Sequence, residues 1–260
     1  MTLPSFRYSG VVTPAQYDFY HTYGFVIYRA MLSPREIEII ERESQDLQAA
    51  TVRGDIPSDD IDDITPWGHD DDGSPLVHRL PYFTRYCVRT RELIDSKGLD
   101  AVGRSLLGES AWRLDDTMHG SVLQTKISSP GSRYDQIQWH IDFPADHRLA
   151  PVVTTGIYLD KSTVENGCLI LVPGSHLMTP RRADPTWVPV EVEPGDLVCH
   201  ADTLYHASTR PTLVGQKRRT LYLYYCAGEY PGPGLPFRES ETKDHARRLF
   251  LRRDENVSYT

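Results

Sequence analysis

Two residues in the segment Gln138–Asp142 could bind a metal ion together. His140 and Asp142 are two positions apart, and residues i and i+2 of a β-strand lie on one face. Their imidazole and carboxylate could therefore reach one point. A second imidazole from elsewhere in the fold, with His206 as the downstream candidate, would complete three ligands. Two His and one carboxylate leave positions open on the metal, which is the arrangement of non-haem Fe(II) enzymes.

Spacing alone does not select this pair. The chain has 10 His and 36 acidic residues among 260, so about 1.4 His-x-acid pairs are expected by chance. Three occur: His69/Asp71, His140/Asp142 and His200/Asp202. The first lies in an acidic polar stretch without a strand pattern, and the last has few histidines downstream of it. The middle pair follows an alternating segment and precedes a strand-rich block, which favours it.

Length and composition indicate one soluble domain over residues 1–260. Apolar residues make up 39% of the chain and charged residues 25%, and the mean hydropathy is −0.45. The net charge of −8 argues against nucleic acid or an anionic membrane as a partner. No apolar run approaches the ~18 residues of a membrane span, and the start lacks the apolar core of a signal peptide. We therefore expect a cytoplasmic monomer or homodimer that acts on a small molecule.

The N-terminal part, about residues 13–110, is predicted to be mainly helical. Thr13-Pro14 is typical of a helix start, and Gly24 of its end. A strand is predicted at residues 25–28. Ser33 and Glu36 form a capping box that opens a second helix, ending near residue 50. Residues 77–110 carry amphipathic helical turns.

From about residue 111 to 226 the pattern changes to short strands. Gly/Pro turns separate them, for example Pro173-Gly174 and Pro194-Gly195. The fold class is therefore mainly β with flanking helices, and a jelly roll is one natural solution. The predicted strands are residues 121–126, 135–142, 152–159, 168–172, 188–193, 196–200, 204–208 and 218–226.

Residues 55–73 stand apart because aspartates crowd a segment that also contains Pro and Gly. We expect a loop here. It is either a solvated acidic surface or a lid that attracts a cationic substrate by its charge.

A series of short motifs follows the helical opening of the chain. In order, they are Trp139-His140-Ile141-Asp142, Glu165-Asn166-Gly167-Cys168-Leu169, Pro173-Gly174-Ser175-His176, Pro194-Gly195-Asp196, and His206 with Arg218. This order resembles the phytanoyl-CoA dioxygenase family. The resemblance covers roughly residues 13 to 226 and is weakest over 50–115. It implies a double-stranded β-helix, the cupin-like jelly roll, that binds Fe(II) and 2-oxoglutarate.

Residue by residue, the resemblance assigns the iron to His140, Asp142 and His206. It assigns the far carboxylate of 2-oxoglutarate to Arg218, with Arg219 as the rival. Strand parity supports Arg218, which shares a face with Thr220 and Tyr222, and a guanidinium can hold a carboxylate through two hydrogen bonds. Further contacts to 2-oxoglutarate are carried over to Thr220, Ser208, Gln124 and Tyr158. His200 is expected to be an ordinary polar or core residue.

The activity implied is oxidation, and foremost hydroxylation, of a C–H bond by O2. 2-Oxoglutarate would be converted to succinate and CO2, with ascorbate as an activator. Secondary metabolism is the expected setting. Three alternatives stay open: a cupin-type metalloenzyme that does not use 2-oxoglutarate, a non-catalytic binding member of the fold, and a zinc hydrolase.

Overall fold

The computed structural model of the chain describes residues 3–57, 67–70, 72–108, 110–114, 120–127, 136–143, 150–178 and 186–230. Five α-helices occur in this part: α1 (Pro14–Tyr23), α2 (Pro34–Arg53), α3 (Phe83–Tyr86), α4 (Val88–Ser96) and α5 (Leu99–Leu107).

The first two helices begin and end as the sequence predicts. Thr13 caps α1, and Gly24 ends it in the left-handed conformation with φ of 81°. A side chain at Gly24 would collide with His176 and Leu204, so glycine is required there. In α2, the Glu36 carboxylate accepts hydrogen bonds from the Ser33 amide and hydroxyl, both at 2.8 Å.

The strands form one large sheet, one small sheet and a hairpin, and all the pairs within them are antiparallel. The strands are β1 (Phe25–Tyr28), β2 (Trp67–His69), β3 (Pro75–Val77), β4 (Arg79–Leu80), β5 (Ala111–Arg113), β6 (Val122–Ile127), β7 (Val152–Tyr158), β8 (Leu169–Leu171), β9 (Val188–Val190), β10 (Leu197–Ala201), β11 (His206–Ser208) and β12 (Lys217–Ala227). The large sheet has the order β1-β10-β7-β12-β6-β4, and β5 pairs with the far end of β12. The small sheet has the order β11-β8-β9, and the hairpin is β2-β3.

The central strand β12 shows how the large sheet separates the core from the site. Leu221, Leu223 and Tyr225 are fully buried in the main hydrophobic core, and Gly103 of α5 lies directly against the Tyr225 ring. The alternate residues Tyr222 and Tyr224 line a cavity on the opposite face. The sheet therefore packs against helices on one side and presents polar and aromatic side chains to the small sheet on the other.

Several predicted elements were wrong in detail. Residues 136–142 do not form a regular strand; among them only His140 makes a β-bridge, to His206. Residues 67–69, predicted as loop, form β2, because a short hairpin needs only backbone pairing and no apolar alternation. The region 77–110 is helical only from residue 83. Before that point, β4 pairs with β6 and extends the large sheet.

The acidic segment is only partly described. Residues 58–66 and 71 lie outside the described residues, so the prediction of a lid stays a prediction. Nearby, Asp70 pairs with Lys217 at 2.7 Å. None of the helices in the described part of the chain has the length and apolar composition that a bilayer crossing requires.

Candidate metal centre and cavity

His140, Asp142 and His206 converge. Each offers one ligand atom, and these atoms lie within 4.8 Å of one another. Nε2 of His140 and Nε2 of His206 are each 3.5 Å from Oδ1 of Asp142. The two imidazole rings have centroids 4.2 Å apart. A single cation placed among these atoms could contact all three.

Backbone hydrogen bonds fix the positions of these three residues. His140 and His206 form an isolated antiparallel bridge, with N–O distances of 2.9 and 3.0 Å. The amide of Asp142 donates to the carbonyl of Asp202 at 2.9 Å. The segment that carries His140 and Asp142 is thus attached to the segment that carries His206, although it is not part of a regular strand.

The tautomers of both histidines suit metal binding. Nδ1 of His140 lies 2.7 Å from the carbonyl oxygen of Gln138, and Nδ1 of His206 lies 2.8 Å from that of Leu204. A carbonyl oxygen only accepts, so each Nδ1 carries the proton. Each Nε2 then presents a lone pair towards Asp142, as a metal ligand must.

Thr154 of β7 orients the carboxylate. Its hydroxyl donates to Oδ2 of Asp142 at 2.7 Å, which leaves Oδ1 facing the two histidines. Nε2 of His200, on β10, is 3.8 Å from the same Oδ2. His200 therefore lies buried beside the candidate metal ligands, and the expectation that it is an ordinary polar or core residue stays a prediction. Its His-x-Asp spacing was the available signal, but only the β7–β10 pairing places it next to Asp142.

The surroundings lower the pKa values of Asp142, His200 and His206. Burial, and next the neighbouring His140, lower the pKa of His206 well below its usual value. Burial also lowers the pKa of His200. Burial opposes ionisation of Asp142, but the imidazoles around it, foremost His206, hold its pKa below the usual range. The lowered pKa values favour the protonation states that bind a metal ion.

The three residues open into a cavity between the two sheets that is partly open to solvent. Arg218 of β12 lines this cavity and is 4% exposed. Its Nε and Nη2 atoms are buried and have no hydrogen-bond partner among the described residues. Burying guanidinium nitrogens without an acceptor costs free energy, so Arg218 is suited to bind an anion.

Arg219 lies on the other face of β12. Its Nε and Nη2 donate to the two oxygens of Asp160 at 2.8 and 2.6 Å, and Nη2 also donates to Glu41 at 2.6 Å. These bonds raise the pKa of Arg219 above its usual value, chiefly through Asp160. Arg219 thus connects β12 to α2 and is not one of the cavity-lining residues.

The other residues carried over from the family lie close to Arg218. Gln124, Tyr158 and Ser208 line the cavity. Thr220 is paired with Gln124 on one side and with Tyr158 on the other. It shares the face of Arg218 but does not itself line the cavity, and its methyl group lies against Gly156.

Lys126 is a cavity residue that the sequence reasoning missed. It lies directly opposite Arg218 in the β6–β12 pairing and is 5% exposed. Its ammonium donates to the Ser208 hydroxyl at 3.2 Å. The signal in the sequence was parity, because Lys126 is two residues after Gln124 and so on the same face of β6.

Residues 20–218 match the sequence model of the phytanoyl-CoA dioxygenase (PhyH) family. The chain belongs to this family. Over 231 residues it is 25% identical to the methylphosphonate hydroxylase of Gimesia maris. The aligned region covers 83% of this chain and 81% of that protein. Other relatives are longer, and the chain spans between 47% and 64% of their length. The family is one of iron- and 2-oxoglutarate-dependent dioxygenases, as the motif order indicates.

Solved structures show the same fold as this PhyH-family chain. EctD from S. alaskensis with bound Fe has a TM-score of 0.66 at 19% identity, over 86% of this chain and 80% of that one. EvdO2 from Micromonospora carbonacea var. aurantiaca complexed with 2-oxoglutarate has a TM-score of 0.62 at 18% identity, over 88% and 98%. The predicted fold class, a double-stranded β-helix with flanking helices, is confirmed.

Proposed function

We propose that this PhyH-family protein is an Fe(II)/2-oxoglutarate-dependent dioxygenase that hydroxylates an unactivated C–H bond of a small molecule and releases succinate and CO2. The observation that carries the proposal is the shared cavity. Three converging ligand atoms and a buried arginine, whose Nε and Nη2 have no hydrogen-bond partner in the described part of the chain, face the same space. A metal site alone would not need Arg218.

His140, Asp142 and His206 would hold the iron. Two imidazole nitrogens and one carboxylate oxygen form the facial set that leaves positions open for a co-substrate and O2. The tautomers and the Thr154 hydrogen bond prepare this set in advance. When bound, iron and 2-oxoglutarate supply the oxidising chemistry by activating O2, and the protein supplies position and shelter from water.

Arg218 and Lys126 would hold the far carboxylate of 2-oxoglutarate together. Like charges directly opposite each other on one face of a sheet destabilise it, and both of these are buried. A carboxylate placed between them would turn repulsion into two charge-assisted hydrogen bonds. Ser208, already bonded to Lys126 at 3.2 Å, can contribute a hydroxyl. Gln124 and Tyr158 would contact the co-substrate from the cavity wall.

The large sheet forms the floor of this co-substrate site. Gly156 lines the cavity, and a side chain there would lie 3.1 Å from Thr220 Cγ2 and from Tyr222 Cε1. Because Gly156 has no Cβ, no side chain from this position fills the cavity between the metal ligands and Arg218. Thr220, whose methyl group lies beside Gly156 on the cavity face of the sheet, would thus support the wall of the site, a more modest role than the direct contact that the sequence suggested.

Hydroxylation is the reaction favoured by the relatives. One of them is a methylphosphonate hydroxylase, and the family name denotes a dioxygenase. A small-molecule substrate suits a concave site that combines apolar walls with a few polar side chains.

The test is consumption of 2-oxoglutarate. Purified protein with Fe(II), ascorbate and air should convert 2-oxoglutarate to succinate, and a substrate should accelerate this turnover. Arg218→Ala should lose the conversion at moderate 2-oxoglutarate, and His206→Ala should lose it at any concentration. Substrate oxidation that proceeds without 2-oxoglutarate would instead identify the cupin-type enzyme. Binding of a small molecule without any turnover would identify the non-catalytic member.

A further inference from the structure

We propose that His200 binds the prime substrate, and that its Nε2 atom accepts a hydrogen bond from a hydroxyl or amino group of that molecule. The inference rests on the proposed function, because it takes Arg218 to be engaged by 2-oxoglutarate. It names a specificity-determining residue and the kind of substrate group that this residue recognises, neither of which the family motifs specify.

His200 is a buried side chain that faces the cavity. It is 4% exposed and is one of the cavity-lining residues. Its neighbours on β10, Cys199 and Ala201, belong to the main hydrophobic core on the other face of the sheet. The His200 ring lies beside that of His206, with centroids 4.6 Å apart. His200 is therefore next to the candidate metal ligands without being one of the three that converge.

The Nε2 atom of His200 is an acceptor that lacks a donor. Nδ1 lies 3.2 Å from the carbonyl oxygen of Ala201; a carbonyl only accepts, so Nδ1 carries the proton and Nε2 presents a lone pair. Nε2 is 3.8 Å from Oδ2 of Asp142, which is beyond hydrogen-bond distance and is itself an acceptor. No hydrogen-bond donor to Nε2 occurs in the described part of the chain. A donor group that enters the cavity would satisfy Nε2 and could also reach Oδ2.

The register of the large sheet places His200 far from Arg218. His200 pairs with Thr154, and Thr154 pairs with Tyr224, so these three cavity residues form one row across β10, β7 and β12. Asp142 is attached to this row through Thr154. Arg218 is six positions before Tyr224 on β12, which corresponds to roughly 20 Å of extended backbone. With its far carboxylate at Arg218, 2-oxoglutarate would approach the metal ligands from the other end of the cavity, which leaves this row available to the prime substrate.

The surroundings of His200 supply apolar contacts as well. The Tyr224 ring packs edge-on against Phe143, with centroids 5.8 Å apart. Val198, two positions before His200, also lines the cavity. Apolar walls with one directional polar atom are typical of sites that recognise small organic molecules. The geometry thus fits a substrate in which a hydroxyl or amino group adjoins an apolar part.

Simple probes test the proposal without knowledge of the substrate. The protein is loaded with saturating 2-oxoglutarate and with Mn(II), a paramagnetic ion of the same charge as Fe(II). It is then titrated with cyclohexanol, cyclohexylamine and cyclohexyl methyl ether, which share a ring, although only the first two carry a donor hydrogen. Faster relaxation of the probe protons in nuclear magnetic resonance reports binding close to Mn(II). We expect saturable binding of at least one donor probe, at least about tenfold tighter than that of the ether.

Variants of His200 identify the atom responsible. His200→Phe keeps a planar ring but removes the acceptor. It should abolish the preference for the donor probe and leave ether binding, Mn(II) affinity and 2-oxoglutarate affinity unchanged. His200→Gln supplies an amide oxygen as acceptor and should restore part of the preference. His69→Phe, at an exposed position of β2, is the control and should behave as the wild type.

Three outcomes overturn the proposal. The wild type binds the donor probes no better than the ether, it binds neither donor probe, or the preference persists in His200→Phe. A lower Mn(II) affinity in His200→Phe, with the preference unchanged, would instead identify His200 as a support for Asp142. If the wild type does not bind 2-oxoglutarate, the proposed function fails separately, and the probe titrations of the Mn(II)-loaded protein still decide the role of His200.

Discussion

His140 and His206 are joined by a pair of backbone hydrogen bonds, and their imidazole rings lie side by side with centroids 4.2 Å apart. The bridge is isolated, so it is the local contact that brings the two ends of the candidate metal site together. Both rings also donate Nδ1–H to a carbonyl two residues away. Backbone geometry therefore sets the direction of both Nε2 lone pairs before any metal binds.

Replacing His140, Asp142 or His206 by Ala should abolish Fe(II) binding and turnover. We expect Fe(II) binding to be lost because the protein supplies only three ligands, and each variant removes one of them. The fold should persist, since the hydrophobic core lies on the opposite face of the large sheet. Iron titration and circular dichroism measure the two effects. His69→Ala, an exposed histidine of a rejected His-x-Asp pair, is the matched control and should bind iron normally. Full iron binding in His206→Ala would refute the assignment.

Arg218→Ala and Arg219→Ala should separate co-substrate binding from stability. Losing Arg218 should raise the 2-oxoglutarate half-saturation about 30- to 900-fold, because a charged contact to a buried carboxylate contributes about 2–4 kcal/mol. Losing Arg219 should leave that value unchanged but lower the free energy of unfolding by about 1–3 kcal/mol, since Asp160 and Glu41 lose their shared partner. If Arg219→Ala instead weakens 2-oxoglutarate binding and Arg218→Ala only lowers stability, the assignment of Arg218 to the co-substrate is wrong.

Lys126→Met should weaken 2-oxoglutarate binding about tenfold in a binding titration, because it removes one of the two cations that face the co-substrate carboxylate. In the double variant with Arg218→Ala, the two losses should not add, since both side chains would hold one carboxylate. Lys161→Met, which removes an exposed ion pair with Glu193, is the control for charge. Additive losses would place Lys126 outside the co-substrate site.

Thr154→Val should weaken iron binding about 10- to 100-fold, the usual effect of losing a hydrogen bond that orients a metal ligand. The change keeps the shape of the side chain but frees Oδ2 of Asp142. Thr154→Ser should restore the affinity. The control is Thr155→Val on the same strand, where the hydroxyl donates to Leu223 on the other face; it should alter stability without altering iron affinity. If Thr154→Val and Thr155→Val bind iron with the same affinity, Thr154 does not position the carboxylate.

The sequence by itself determined which side chains share a face. His140 and Asp142 are two positions apart, and so are Gln124 and Lys126. Parity also separated Arg218 from Arg219, and the structure places these on opposite faces of β12. Alternation is a property of extended backbone, so it needs no knowledge of neighbouring strands. His140 and Asp142 converge even though the segment is not a regular strand, and the hydrogen bonds of their amides to His206 and Asp202 hold them in place.

Only the tertiary structure decided which faces meet. Arg79 and Arg218 belong to strands separated by β6, and nothing in the sequence near residue 79 indicates that β4 joins the large sheet. His200 reaches Asp142 because β10 pairs with β7, which carries Thr154. These neighbours come from pairings between distant parts of the chain, and such pairings depend on the packing of the whole sheet. Local patterns therefore identified the candidate ligands, while the grouping of Lys126, Arg218 and the metal ligands around one cavity depended on the fold.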